Sequence, residues 1–162
     1  MKIAITTDHA GYEALQHLEA YLIELGHEPV NFGPKSFDVN DDYPDYMFPA
    51  AQVVASGECE AGIILGGSGQ GEAMAANRIK GVRCALFYGQ SIAKTAVDAE
   101  GTSSDDPYEI VKLSRQHNHA NVLSLSGRFL SLDEMKTAIK IWLETPYSQE
   151  ERHARRVNKL DQ

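Results

Sequence analysis

The chain has 162 residues, 43% of them hydrophobic and 23% charged, and a formal net charge of −8. These values suit one soluble globular domain with a core large enough to stand without disulfide staples. The acidic balance excludes a general nucleic-acid binder, and no apolar run reaches the ~20 residues that would span a bilayer. Met1-Lys2-Ile3-Ala4-Ile5 enters a strand-like run at once, without the tripartite layout of a signal peptide, so a cytoplasmic protein is expected. Cys59 and Cys84 form no CxxC pair and read as two buried thiols.

Strand-like and helix-like segments alternate along the chain. Ile3–Thr7 is short, apolar and β-branched. Tyr12–Leu25 carries a helical stripe at Leu15, Leu18, Leu22 and Leu25, and Gly26 ends it. Glu28–Phe32 reads as a second strand, and residues 33–45, rich in Gly, Pro, Asp and Asn, as a loop. Pro49–Ser56 is expected to be helical, with the proline in its first turn. Ala61–Leu65 is a third strand, followed by Gly66-Gly67-Ser68-Gly69-Gln70-Gly71 and by the helix formers of Glu72–Ile79. Arg83–Tyr88 is a fourth strand, Ser91–Ala99 and Tyr108–Gln116 are expected helices, and Val122–Leu125 is a fifth strand. Ser131-Leu132-Asp133-Glu134 is a capping box opening a last clear helix, with Leu132, Met135, Ile139, Trp142 and Leu143 as its buried stripe. Strands alternating with helices imply an α/β domain over 1–162 with a five-stranded parallel sheet covered on both faces, a three-layer sandwich.

In an open α/β sheet, ligands gather at the carboxyl ends of the strands. That places interest on Asp8-His9-Ala10-Gly11, on Gly66–Glu72 and on Ser126-Gly127-Arg128. Glycines at 66, 67, 69 and 71 allow backbone N–H groups to converge on an anion at a helix N-terminus. No Gly-Lys-Ser/Thr follows, and the spacing does not fit Gly-x-Gly-x-x-Gly, so neither a P-loop nor a dinucleotide fingerprint is present. Glu72, in the first turn of the following helix, can cap that helix or act as base on a carbon acid whose enolate oxygen the nest would hold. Ser68 sits within reach of the same substrate region. Asp8 and His9 form a proton-transfer pair at the end of the first strand, whereas His117-Asn118-His119 reads from its spacing as a polar loop. The histidines lack i,i+4 metal spacing, and no metal is expected. The basic stretch Arg152–Lys159 stays open between a solvated helix and an anion site on charge alone.

Taken together, these segments resemble the ribose-5-phosphate isomerase B / galactose-6-phosphate isomerase family. The match lies in Asp8–Gly11, Asp42-Tyr43-Pro44-Asp45-Tyr46, Gly66–Arg78, His117–Leu123 and Arg152–Arg156. The resemblance implies a Rossmann-like domain forming a homodimer, or a tetramer built from it, with active sites shared between subunits. The basic tail 147–162 would reach the partner. It also implies metal-free, cofactor-free interconversion of ribose 5-phosphate and ribulose 5-phosphate through a cis-enediolate. Other C4–C6 sugar phosphates, among them galactose 6-phosphate, allose 6-phosphate and tetrose phosphates, stay open, and a non-catalytic sugar-phosphate module is the reading from another class.

Many family members have a cysteine base at the position of Gly66, and a second branch has Gly there and a Glu at the position of Glu72. This sequence is similar to the second branch. By the same resemblance Glu72 would be the base, with Ser68 beside it, and His117 would open the ring with help from Asp8. Gly67, Gly69, Gln70, Gly71, Asn118 and Tyr46 would hold the enediolate and sugar, while His9, Arg128, Arg152, His153 and Arg156 would hold the phosphate. The anion-site reading of the basic tail follows. Residues 97–111 look like an insertion relative to compact members.

Overall fold

A computed structural model describes residues 1–160. The elements run β1 (Lys2–Thr6), a 3-10 turn (His9–Gly11), α1 (Tyr12–Glu24), β2 (Glu28–Asn31), α2 (Pro44–Ala55), β3 (Ala61–Gly66), α3 (Gln70–Ala76), β4 (Cys84–Phe87), α4 (Glu109–Gln116), β5 (Val122–Ser126), α5 (Leu132–Glu144) and α6 (Glu151–Val157). The five strands are all parallel, in the order β2-β1-β3-β5-β4. The period-2 geometry of the strands sends alternate side chains to opposite faces. Ile3, Ile5, Ile63, Leu65, Leu123 and Leu125 meet Leu15, Leu18 and Leu22 of α1 and Ile139 and Trp142 of α5. Ala4, Ile64 and Val122 meet Met47, Ala50, Ala51 and Val54 of α2 and Ala75 and Ala76 of α3. A helical layer therefore covers each face, which is the expected three-layer arrangement. β3 is buried along its whole length, as the central strand of a doubly covered sheet must be. The capping box of Ser131 and Glu134 is formed in full.

Three expectations are corrected. The second helix starts at Pro44 rather than Pro49. Pro44 occupies the first turn, where its missing N–H leaves no bond unmade, and Pro49 lies inside the helix, kept there by a buried face that includes Met47. Ser91–Ala99 forms no helix. None of its residues is buried, so helix propensity had no packing to support it. Its backbone donors bond instead across the following loop, Ser91 N–H to Pro107 and Val97 N–H to Thr102, and Asp98 accepts from Glu100 and Thr102. Finally, Cys59 is buried as expected but Cys84, on the edge strand, is only partly covered. Asp161 and Gln162, the end of the expected basic tail, lie outside the described residues.

Candidate active site

At the carboxyl ends of β1, β3 and β5 the glycine-rich turn is tied down through its carbonyls. The Gly66 C=O accepts from Gly127 N–H at 2.7 Å, and the Gly67 C=O accepts from Arg128 N–H at 3.1 Å. The Ser126 hydroxyl also donates to Gly67 C=O at 2.8 Å, and the Ser124 hydroxyl to Gly69 C=O at 2.7 Å. A trans peptide sets each N–H opposite the preceding carbonyl. Anchoring Gly66 and Gly67 by oxygen to the segment after β5 therefore turns the Gly67 and Ser68 amides away from that segment. Gly69 takes φ +76° at the start of α3, a left-handed conformation that a side chain would strain. Ser68 Oγ accepts from Gln70 N–H at 3.3 Å. Gly71 lies under the Tyr43 ring: a Cβ there would come within 3.0 Å of its Cζ.

Glu72 sits in the first turn of α3 and is 5% exposed. Its carboxyl fills the space over the Gly66 Cα, where a Cβ would fall 1.9 Å from Glu72 Cδ. Oε2 is buried without a hydrogen-bond partner. Burial pushes this carboxyl above the ordinary glutamate range, and Asp8 pushes the same way. The local amides and the Arg128 guanidinium oppose the shift without cancelling it. A buried, raised carboxyl with one unpartnered oxygen, at the end of a glycine-rich turn, is chemically suited to take up a proton.

Asp8 is buried and caps the turn after β1, accepting from Ala10 N–H at 2.9 Å. His9 follows, its Nδ1 2.6 Å from Asp41 Oδ1 and 4.0 Å from Asp8 Oδ2. The hydrogen bond to Asp41 holds the imidazole above its usual pKa. The Arg128 guanidinium lies against Gly67, where a Cβ would be 3.3 Å from Cζ. Burial and the carboxylates of Asp41, Asp38, Asp45 and Asp8 raise the Tyr46 phenol. Among the described residues, Asp8, His9 and Asp41 alone bring three possible metal-ligating atoms within 4.8 Å of one another, and the shortest contact in that group is the His9–Asp41 hydrogen bond.

Asp8, His9, Ser68, Glu72, Arg128, Tyr46 and the glycines thus share one end of the sheet. His117, Asn118, Arg152, His153 and Arg156 do not join them within the chain. His117 caps the end of α4 and precedes β5, so it lies at the amino end of a strand about 17 Å long. There it stacks on His153, with ring centroids 4.1 Å apart and planes within 7°. A cleft of about 240 Å³ is lined by His117, Asn118, His153, Arg156, Val157 and Leu160. Burial, then the neighbouring His117 and Arg152, lower the His153 pKa. Arg152 is paired with Glu150 at 2.8 Å and with Glu100 of the 97–111 segment at 3.1 Å. The two clusters are linked by the outer face of α3 and edge strand β4. That groove runs from Gln70 past Met74, Asn77 and Cys84 and continues to Asn118 and Leu160. Met74 and Tyr88 are strongly exposed along it.

Sequence reading missed Asp41 and Tyr43. Tyr43 belongs to the Asp42–Tyr46 motif. Asp41 had no local signal that set it apart from Asp38, Asp42 or Asp45, since only the tertiary return of residues 33–43 over the strand ends brings it to His9.

Fold and site together define an α/β protein with a glycine-rich β3–α3 turn and a buried carboxyl set against it. The chain belongs to the Ribose/Galactose Isomerase family, whose pattern matches residues 3–103 and 105–160. Ribose-5-phosphate isomerase B of Mycobacterium leprae is 34% identical over 160 residues, covering 99% of this chain and 88% of that protein. Among solved structures, ribose-5-phosphate isomerase B of Clostridium thermocellum matches with a TM-score of 0.84 at 33% identity, covering 99% of this chain and 95% of that one. The Mycoplasma genitalium ribose-5-phosphate isomerase B, solved with bound ribulose 5-phosphate, matches with a TM-score of 0.83 at 33% identity, covering 98% and 93%.

Proposed function

We propose that this chain interconverts ribose 5-phosphate and ribulose 5-phosphate through a cis-enediolate, using protein groups alone. The observation that carries the mechanism is the Glu72 carboxyl, buried over Gly66 with one oxygen unpartnered, at the end of the glycine-rich turn. In this reading Glu72 removes the proton from C2 of the open-chain aldose and returns it to C1, while the hydroxyl proton passes from O2 to O1 of the enediolate, so that the carbonyl moves from C1 to C2. The nest amides of Gly67–Gly71, with Ser68, hold the enediolate oxygens while charge develops on them. Asp8 assists ring opening, Tyr46 lines the sugar, and His9 and Arg128 take the phosphate.

The ring-opening acid His117, with Asn118 and the arginines Arg152 and Arg156, comes from a second copy. A two-fold axis across the α3–β4 groove reverses its direction in the partner. The Asn118 end of one copy then faces the Gln70 end of the other. This pairing supports a homodimer with shared sites, the basic tail serving the neighbour's phosphate.

The test is direct. Purified protein with excess EDTA should convert ribose 5-phosphate to ribulose 5-phosphate, with exchange of solvent deuterium at C2 of the aldose. Turnover of galactose 6-phosphate or a tetrose phosphate in preference would reassign the sugar and keep the chemistry. Saturable binding without any deuterium exchange would sink the isomerase in favour of a sugar-phosphate module.

A further inference from the structure

Asp41 has no part in the reaction just described, yet its side chain is only 5% exposed. Its Oδ1 accepts from His9 twice, from ring Nδ1 at 2.6 Å and from the backbone N–H at 3.3 Å. Its Oδ2 is buried with no partner. Leaving a carboxylate oxygen unsatisfied costs stability, so the residue is poorly explained as packing. Among the described residues, the hydrogen-bond partner of its side chain is His9.

The surroundings of His9 make that pairing directional. Asp8 Oδ2 lies 4.0 Å from the same Nδ1, on the inner edge of the ring. Phe37 meets the ring edge-on at 6.4 Å. Arg128 is the opposing cation, and Glu13 and His17 of α1 border the same cleft. With Nδ1 committed inward, the exposed part of the ring is the Nε2 edge. A histidine whose Nδ1–H is given to a carboxylate has its tautomer settled, and when protonated it keeps Nε2–H as a second donor.

We infer that Asp41 is a positioning residue: it locks His9 with Nδ1–H turned inward and presents Nε2–H to the anionic end of the substrate. The inference rests on the sugar-phosphate reading of the site. The carboxylates of Asp41 and Asp8 both favour the imidazolium, and Arg128 works against it without prevailing. His9 therefore stays a charged donor to a higher pH than a free histidine would, and loses that charge only as pH rises through its elevated pKa.

Kinetics with ribose 5-phosphate between about pH 5.5 and 8.5 read this out, since that span brackets histidine titration. In the parent, KM should stay low past the ordinary histidine range and then climb. In Asp41→Asn the climb should begin at lower pH, with KM at neutral pH raised about tenfold for each pK unit lost and kcat within about twofold. Asp41→Glu should recover part of the parent profile. A KM profile of Asp41→Asn that overlays the parent's overturns the inference, as does a fall in thermal stability with no kinetic change.

Nitrogen-15 NMR of the His9 ring gives an arm independent of turnover and of any variant. The parent ring should be protonated at Nδ1 once neutral, and its titration should respond to inorganic phosphate. A neutral ring protonated at Nε2 in the parent overturns the inference even if isomerisation is intact. Absent isomerisation with the Nδ1–H ring and phosphate response present would sink the substrate reading and leave the positioning role standing.

Discussion

At the carboxyl ends of β1, β3 and β5, nearly every candidate residue is held by a bond or a close contact from its own chain. Asp8 caps a turn, His9 is gripped by Asp41, the nest carbonyls are anchored by Ser124, Ser126, Gly127 and Arg128, and Glu72 is wedged over Gly66. At the amino end of β5 the same residue types stand differently. His117 and His153 stack on each other, Arg156 is exposed, and Arg152 spends its charge on Glu100 and Glu150. The first region is fixed by its own chain, and donors fixed in this way would cost no rearrangement if charge developed beside them, as the proposed enediolate requires. The second is a group of donors whose partners among the described residues are each other, as Arg152 to His153, and the exposed carboxylates of Glu100 and Glu150. Under the proposed function, the first region carries the chemistry and the second completes the pocket of another copy.

The sharpest break in that contrast is Glu72→Gln. Loss of the base should lower kcat by about 10³-fold, within the range for a removed general base, while KM for ribose 5-phosphate moves little. The same substitution should not destabilise the fold at neutral pH. Because the Glu72 pKa is raised on folding, the native state holds that proton more tightly than the unfolded chain. Parent stability therefore falls as pH rises from the ordinary carboxylate pKa through the raised one. Thermal melts should show Glu72→Gln at least as stable as the parent at pH 7, with the difference gone near pH 4.

Next in size is a mixing experiment. His117→Asn and Glu72→Gln homodimers should each be nearly inactive. If sites are shared, a mixed dimer carries both lesions in one site and neither in the other. Equal amounts refolded together should regain about a quarter of parent activity, since half the dimers are mixed and each has one sound site. No recovery would place His117 and Glu72 in the same chain's site and undo the division of labour. A smaller effect is the acid limb of kcat, which should lie above the ~4.3 of an ordinary glutamate because the base must be ionised. The smallest is Glu100→Gln. Releasing Arg152 from a solvent-screened ion pair with Glu100 should lower KM by no more than about fivefold, and a rise in KM would show that Glu100 orients Arg152.

Much of the first region was legible in the residues because it is local. A strand, a run of glycines and a carboxylate in the next helical turn follow one another without interruption, so Glu72 and the nest needed no tertiary knowledge. Asp41 and Tyr43 were not legible as site residues, since a polar loop gives no hint of which of its carboxylates folds back over β1. The second region showed in the residues themselves only as a polar loop and basic composition, and its site roles came from the family resemblance. The stacking of His117 on His153 depends on α4 and α6 meeting, which no spacing announces. The false helix at 91–99 and the late start given to α2 share one cause: propensity and proline position were weighed without the burial that decides them. Met47 is fully buried, whereas Ile92 is exposed.

Gly66 and Glu72 occupy one volume between them. A side chain introduced at 66 lands on the carboxyl, while removing the carboxyl without filling 66 leaves a hole and no base. Single steps away from this pair are therefore dead ends, and the two positions must drift as a unit. Among descendants of a common ancestor, any lineage that gains a side chain at the first position should have surrendered the glutamate at the second. Under the proposed mechanism, these two sites would be a heritable switch between alternative ways of moving the same proton.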